Sequence, residues 1–158
     1  MKPEIADIEE IQLVGIHIRT SQSENKTLDL WREFVSRTKE IKHSTGNGYY
    51  SVQFYKMQDF EDFNSNTIFD KWAAIQVSNL DEIPEGMKSV MIAKGLYAKF
   101  IHKGKAEGIK SLLSYIHQSW LPQSEYEIDD RAHFEYMGEN YLGPNDPESE
   151  EEVWIPIK

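Results

Sequence analysis

Apolar and polar positions partly alternate through residues 11–20 (IQLVGIHIRT), a β-branched run whose period of two predicts a strand. The polar segment SQSENK follows, with Thr27 as a candidate N-cap. Leu28, Trp31, Phe34, Val35 and Ile41 then recur at helical spacing and predict an amphipathic helix over residues 28–42. HSTGNG reads as a turn. Residues 49–57 (YYSVQFYKM) return to a strand pattern, with Tyr50, Val52 and Phe54 on one face and Tyr49, Gln53 and Tyr55 on the other. A polar loop leads to another strand at 71–77 (KWAAIQV). The connector NLDEIPEGM carries a turn signal at 84–86, after which the same order returns. Strand material over 87–104 breaks at Gly95. Ile109, Leu112, Leu113, Ile116 and Trp120 mark a second helix that Leu121-Pro122 ends. The last strands, 131–137 (RAHFEYM) and 153–157 (VWIPI), flank a long acidic loop.

The order strand, helix, strand, strand thus occurs twice, over about 8–80 and 87–158. The repeat is one of pattern rather than residue identity. The expected fold is α+β, with two pseudo-symmetric β-α-β-β units in one domain spanning 1–158. Each helix would cover one face of its small antiparallel sheet, and the opposite sheet faces would form a cleft.

Composition narrows the function classes. The 158 residues are 39% hydrophobic and 28% charged, the balance of one globular folding unit. No apolar run reaches the roughly 20 residues a membrane-spanning helix needs. The N-terminal MKPEIADIEE carries acids where a secretory signal would be basic and then apolar. With no cysteine, disulfides, thiolate metal sites and a cysteine nucleophile are excluded. A cytoplasmic protein is the expectation. Twenty-seven acids against 17 bases give a net charge of −10, and no basic cluster offers a nucleic-acid face. The acid run DPESEEE (146–152) reads as a solvated loop, or as a surface for a basic protein partner.

Aromatic residues reach 12% of the chain. Most should fill the core, yet ring faces also attract cations. Against that background Glu135, in the middle of HFEYM, stands out. Period two sets it with His133 and Met137, opposite Phe134 and Tyr136. A carboxylate in apolar surroundings is costly unless paired, and a lipophilic cation would supply the charge while its hydrocarbon body met the rings. Trp154 alternates away from Val153 and Ile155, toward the expected cleft. Tyr55, Trp72 and Tyr97 are further strand aromatics that could line it. A hydrolase using Glu135 as base, with Tyr97 or Tyr55 as acid, is the competing chemistry. The histidines at 17, 43, 102, 117 and 133 show no close metal-ligand spacing. Phosphate-binding and dinucleotide fingerprints and a G-x-S-x-G elbow are all missing. No metal or cofactor is expected.

Several motifs in order carry a resemblance. They are Leu30, Trp31 and Phe34 in the first helix, IPEGM (83–87), KGLYAKFIHKG (94–104), WLPQSEYE (120–127), HFEYM and the terminal VWIPIK. With these the sequence resembles the GyrI-like small-molecule-binding domain, also called the AraC-type effector-binding domain, of multidrug-binding bacterial proteins. The resemblance implies two pseudo-symmetric units around a cleft for hydrophobic, often cationic, small molecules. It also implies a buried Glu as the key polar group. That role falls on Glu135, and aromatic contacts fall on Trp154 and Tyr97, with Trp120 structural. It further implies a standalone sequestering or sensing protein, with a hydrolase of strained compounds or a gyrase- or regulator-binding protein as alternatives.

Overall fold

A computed structural model describes residues 1–46, 48–57 and 62–158. Asn47 of the expected HSTGNG turn and residues 58–61 of the loop that follows lie outside them. The strands are β1 (Glu4–Ile8), β2 (Ile11–Thr20), β3 (Tyr49–Phe54), β4 (Phe69–Gln76), β5 (Lys88–Ile92), β6 (Gly95–Lys103), β7 (His133–Met137) and β8 (Glu150–Pro156). Helix α1 spans Thr27–Arg37 and α2 spans Ile109–Tyr115; α2 continues through a π-helical turn, Ile116–Trp120, into the short α3, Leu121–Gln123.

All eight strands join one antiparallel sheet in the order β1-β6-β8-β7-β3-β4-β2-β5. Exchanging β1–β4 with β5–β8 reverses that order onto itself, so the two halves meet at the β3–β7 pair. Each half lends its first strand to the other: β1 lies on β6 and β5 on β2. The class is α+β as expected, but one continuous sheet replaces two small ones.

Register assigns the faces, because directly paired residues share a side. Val52 pairs with both Trp72 and Phe134, and Phe134 pairs with Trp154. Among the described residues this face has no helix layer, and the sheet curls and buries it against itself. The curl gathers Leu13 and Ile92 from one end of the sheet with Tyr97 and Phe134 in a single core. On the other face α1 seats Leu30 and Phe34 against Val14, Ile16, Ala73 and Ile75. There α2 seats Leu112 and Ile116 against Ala98, Phe100, Val153 and Ile155. Glu135 pairs with Ser51 and Val153 and therefore lies on this helix-bearing face. The helices do not back the cleft from behind, as the duplication suggested. The cleft opens on the helix-bearing face, where α2 lines it, because the opposite face has closed into core.

Local chemistry explains the other departures. The N-cap of α1 is Lys26 rather than Thr27 and makes no side-chain cap; Asn25, one residue before it, accepts the Thr27 N–H on Oδ1 at 3.0 Å. The second helix runs past Leu121-Pro122 because the wider π turn comes first, with the Leu121 N–H bonding the Ile116 carbonyl. Pro122 then falls in the opening turn of α3, where its missing donor costs little. At Gly95, φ is +143°, a conformation that favours glycine and separates β5 from β6.

Candidate functional site

Between the two helix-covered areas, β3 and β7 carry a polar seam on the helix-bearing face. Ser51, Gln53 and His133 are each about 5% exposed there, and Glu135 is half-buried. Buried polar groups must be paired. Gln53 Nε2 donates one hydrogen to Ser51 Oγ at 2.8 Å and the other to Glu135 Oε2 at 2.9 Å, so one amide hydrogen holds the carboxylate while the other ties the amide to β3. No Lys, Arg or His forms an ion pair with Glu135 among the described residues.

Above this seam opens a cavity of about 450 Å³. Its floor includes Gln53, His133, Glu135, Val153 and Ile155; Tyr55, Phe63 and Gln22 form one side, and α2 forms the other. Helix spacing makes α2 two-faced. Ile109, Leu112 and Ile116 turn to the sheet, while Lys110, Leu113, Ser114, His117 and Gln118 line the cavity. The rings of Tyr55 and His133 meet edge to face with centroids 4.9 Å apart, and Tyr55 also packs on Phe69 at 5.0 Å.

The electrostatics are those of a buried, acidic floor. Burial pushes the Glu135 carboxyl above its ordinary range, opposed by the Lys71 charge and by hydrogen bonds from Gln53 and Ser51. Lys71 belongs to the same field: burial lowers its ammonium, while Glu135 and Glu151 hold it up. Burial and then Glu135 push Glu151 up to about 7. Burial, reinforced by His117 and Arg131, pulls His133 down to about 3, and burial lowers His117 as well. At neutral pH His133 is therefore neutral, and the floor has no imidazolium there to cancel Glu135. The Tyr55 phenol is raised by burial and by Glu135.

The sequence model of the GyrI-like small-molecule-binding domain matches residues 1–158. The chain belongs to the GyrI-like family. This GyrI-like chain is 26% identical over 159 residues to the transcriptional regulator BrlR of Pseudomonas aeruginosa, covering 99% of this chain and 56% of that protein. It thus spans little more than half the length of that relative. The solved structure of SAV2435 bound to tetraphenylphosphonium shares the fold with a TM-score of 0.75 and 15% identity, over 100% of this chain and 94% of the other. A hydrolase from Listeria innocua encoded by lin2189 shares it with a TM-score of 0.61 and 11% identity, over 99% and 92%. At such identities the structural likeness is one of fold.

The cavity lining includes three of the residues singled out by sequence, Glu135, Tyr55 and Trp154. The rings of Tyr97, Trp72 and Trp154 pack on the opposite face. Tyr97 is fully buried, donates its hydroxyl to the Ala132 carbonyl at 2.7 Å and lies under the Arg131 guanidinium. Trp72 is in the same core and stacks on His17 at 4.9 Å. Trp154 borders the cavity along its strand, but its indole stacks on Phe134 with centroids 5.4 Å apart. Alternation within one strand fixes relative faces, but only the register between strands fixes which of them is shared. The cavity-facing row on α2 was not singled out in the sequence. Its signal was present as polar or basic Lys110, Ser114, His117 and Gln118 at helical spacing beside the apolar seam. No group of three metal-ligating side chains converges among the described residues.

Proposed function

We propose that this chain is a cytoplasmic protein that sequesters or senses amphipathic cations, seating them in the α2 cleft with Glu135 as counter-charge. The observation that carries this reading is Glu135 itself. Its carboxylate stands at the floor of a 450 Å³ cavity, held by neutral donors from β3 and without an ion-pair partner among the described residues. Such a group is costly when left alone and repays that cost when a cation arrives. Val153, Ile155, Leu113, Phe63 and Tyr55 give the ligand's hydrocarbon body apolar and ring surface. The tetraphenylphosphonium bound by SAV2435 is a cation of this kind, in a protein of the same fold.

The test is a titration of tetraphenylphosphonium and neutral triphenylphosphine oxide into wild type and Glu135→Gln, read by thermal shift and calorimetry. A ligand of the native state raises the melting temperature with concentration. Loss of the charge should weaken the phosphonium by about 2 kcal/mol or more, roughly thirtyfold, and leave the neutral probe nearly unchanged. Equal binding of the cation by both proteins would remove Glu135 from the site.

The hydrolase reading retains one specific support. Tyr55, unlike Tyr97, shares the cleft with Glu135 and feels its charge. Turnover of a reactive ester that Tyr55→Phe abolishes without changing its binding would favour that reading.

A further inference from the structure

The cleft has two electrostatic ends, and the reading of Glu135 as counter-charge uses one of them. Lys110 lines the same cavity from the first turn of α2 and is exposed. The first turn of α2 supplies no acid, and Glu107 in the preceding turn makes no ion pair with it. Among the described residues Lys110 has no ion-pair partner at all. Nor does it neutralise Glu135, on which Lys71 is the one cationic influence among the described residues. The two charges therefore stand apart in one cavity, each available to a ligand. Lys110 is two helical turns from His117, about 10 Å along the axis, and His117 in turn acts on His133, the neighbour of Glu135 on its face of β7. Ser114 on the helix, with Gln22 and Gln118, adds neutral hydrogen-bonding groups to the cavity wall.

We infer that Lys110 is a specificity-determining residue, and that the cleft takes dipolar amphiphiles: a lipophilic cation over Glu135 joined through an apolar arm to an anionic group that meets Lys110. This rests on the Glu135 reading and deepens it. A simple cation would fill the floor and leave the Lys110 end in water, whereas a carboxylate, sulfonate or phosphate on an apolar arm that reaches α2 would engage both ends.

The experiment is a binding cycle with hexyl-triphenylphosphonium and 5-carboxypentyl-triphenylphosphonium, which share a head and arm and differ in the terminal carboxylate. Wild type, Lys110→Met, Lys110→Arg and Glu135→Gln are titrated by calorimetry at low salt. Wild type should bind the carboxylate probe about fivefold tighter than the hexyl probe, the upper range for a partly exposed ion pair. Lys110→Met should erase that preference, so that the ratio of the two affinities falls to about one whatever the shared change in phosphonium binding, and Lys110→Arg should restore it. Glu135→Gln should weaken both probes together. An equal preference in wild type and Lys110→Met overturns the inference, as does no preference in wild type. If wild type binds the hexyl probe and Glu135→Gln does not, the Glu135 reading survives that failure. Failure of wild type to bind either probe overturns both.

Discussion

Glu135 is held by an amide and a hydroxyl on β3 rather than by a cation, and burial keeps its carboxyl above the ordinary range. The unfolded chain has the ordinary value, so the sign of the stability effect follows. The protonated side chain supports the fold fully below the ordinary carboxyl range, and that support is lost as pH rises through the raised folded value. Glutamine keeps the Gln53 contact through its amide oxygen and has no proton to lose. Without ligand, Glu135→Gln should therefore melt higher than wild type at pH 8, with the advantage shrinking toward pH 4. Differential scanning calorimetry across that range checks it. A difference that does not change with pH would mean that Glu135 titrates as an ordinary surface carboxyl. Stability withheld at one residue to keep a charge ready is the usual relation between a binding site and its fold.

At the scale of elements, the tightest strand approach at a glycine is in β2 among the described residues. Gly15 pairs with Ala74 on one side and Lys88 on the other. A Cβ there would collide with the Ala73 carbonyl and stand 2.7 Å from Ala74 Cα, both backbone of a paired strand that cannot rotate aside. Gly15→Ala should cost about 1–3 kcal/mol, read as a lower urea midpoint with an unchanged slope. A midpoint equal to wild type would show that the strands have room to part. The same strand shows what was legible beforehand. Its alternation gave Ile11–Thr20 without error, and Gly95 marked the break between β5 and β6. β1 was not legible: EIADI is short and acidic, and its partner β6 lies some ninety residues away, so no local pattern announces the pairing. Three glutamates at the start of β8 read as acidic loop for the same reason, since pairing to β6 overrides their weak strand preference. Glu135 was legible as an outlier of chemistry. The faces of Trp72, Tyr97 and Trp154 were not, because they depend on the register of strands from both halves.

For the molecule as a whole, joining the halves at β3–β7 places Lys71, Glu135 and Glu151 in one buried field drawn from β4, β7 and β8. Two carboxylates share a single lysine there, and each raises the other's cost of ionisation, so they titrate as a coupled set. A cation that carries no proton favours the ionised forms. Its binding should release protons, and its affinity should climb as pH rises through the Glu151 value of about 7 and level off above it. Glu151 stands outside the cavity lining and acts on it through Glu135; of the other titratable groups that line the cavity, His133, held at about 3, is already neutral, burial lowers His117, and Tyr55 stays protonated. The overall charge of −10 also draws cations, but that field belongs to the surface. At 1 M salt, with a screening length of about 3 Å, the surface contribution should vanish and the pH dependence should persist. Tetraphenylphosphonium affinities at pH 6, 7 and 8, with calorimetry in two buffers of different ionisation enthalpy to count released protons, decide between the two. Glu151→Gln should flatten the profile while retaining binding at pH 8. A profile in wild type that disappears at 1 M salt would place the coupling on the surface and separate Glu151 from the site.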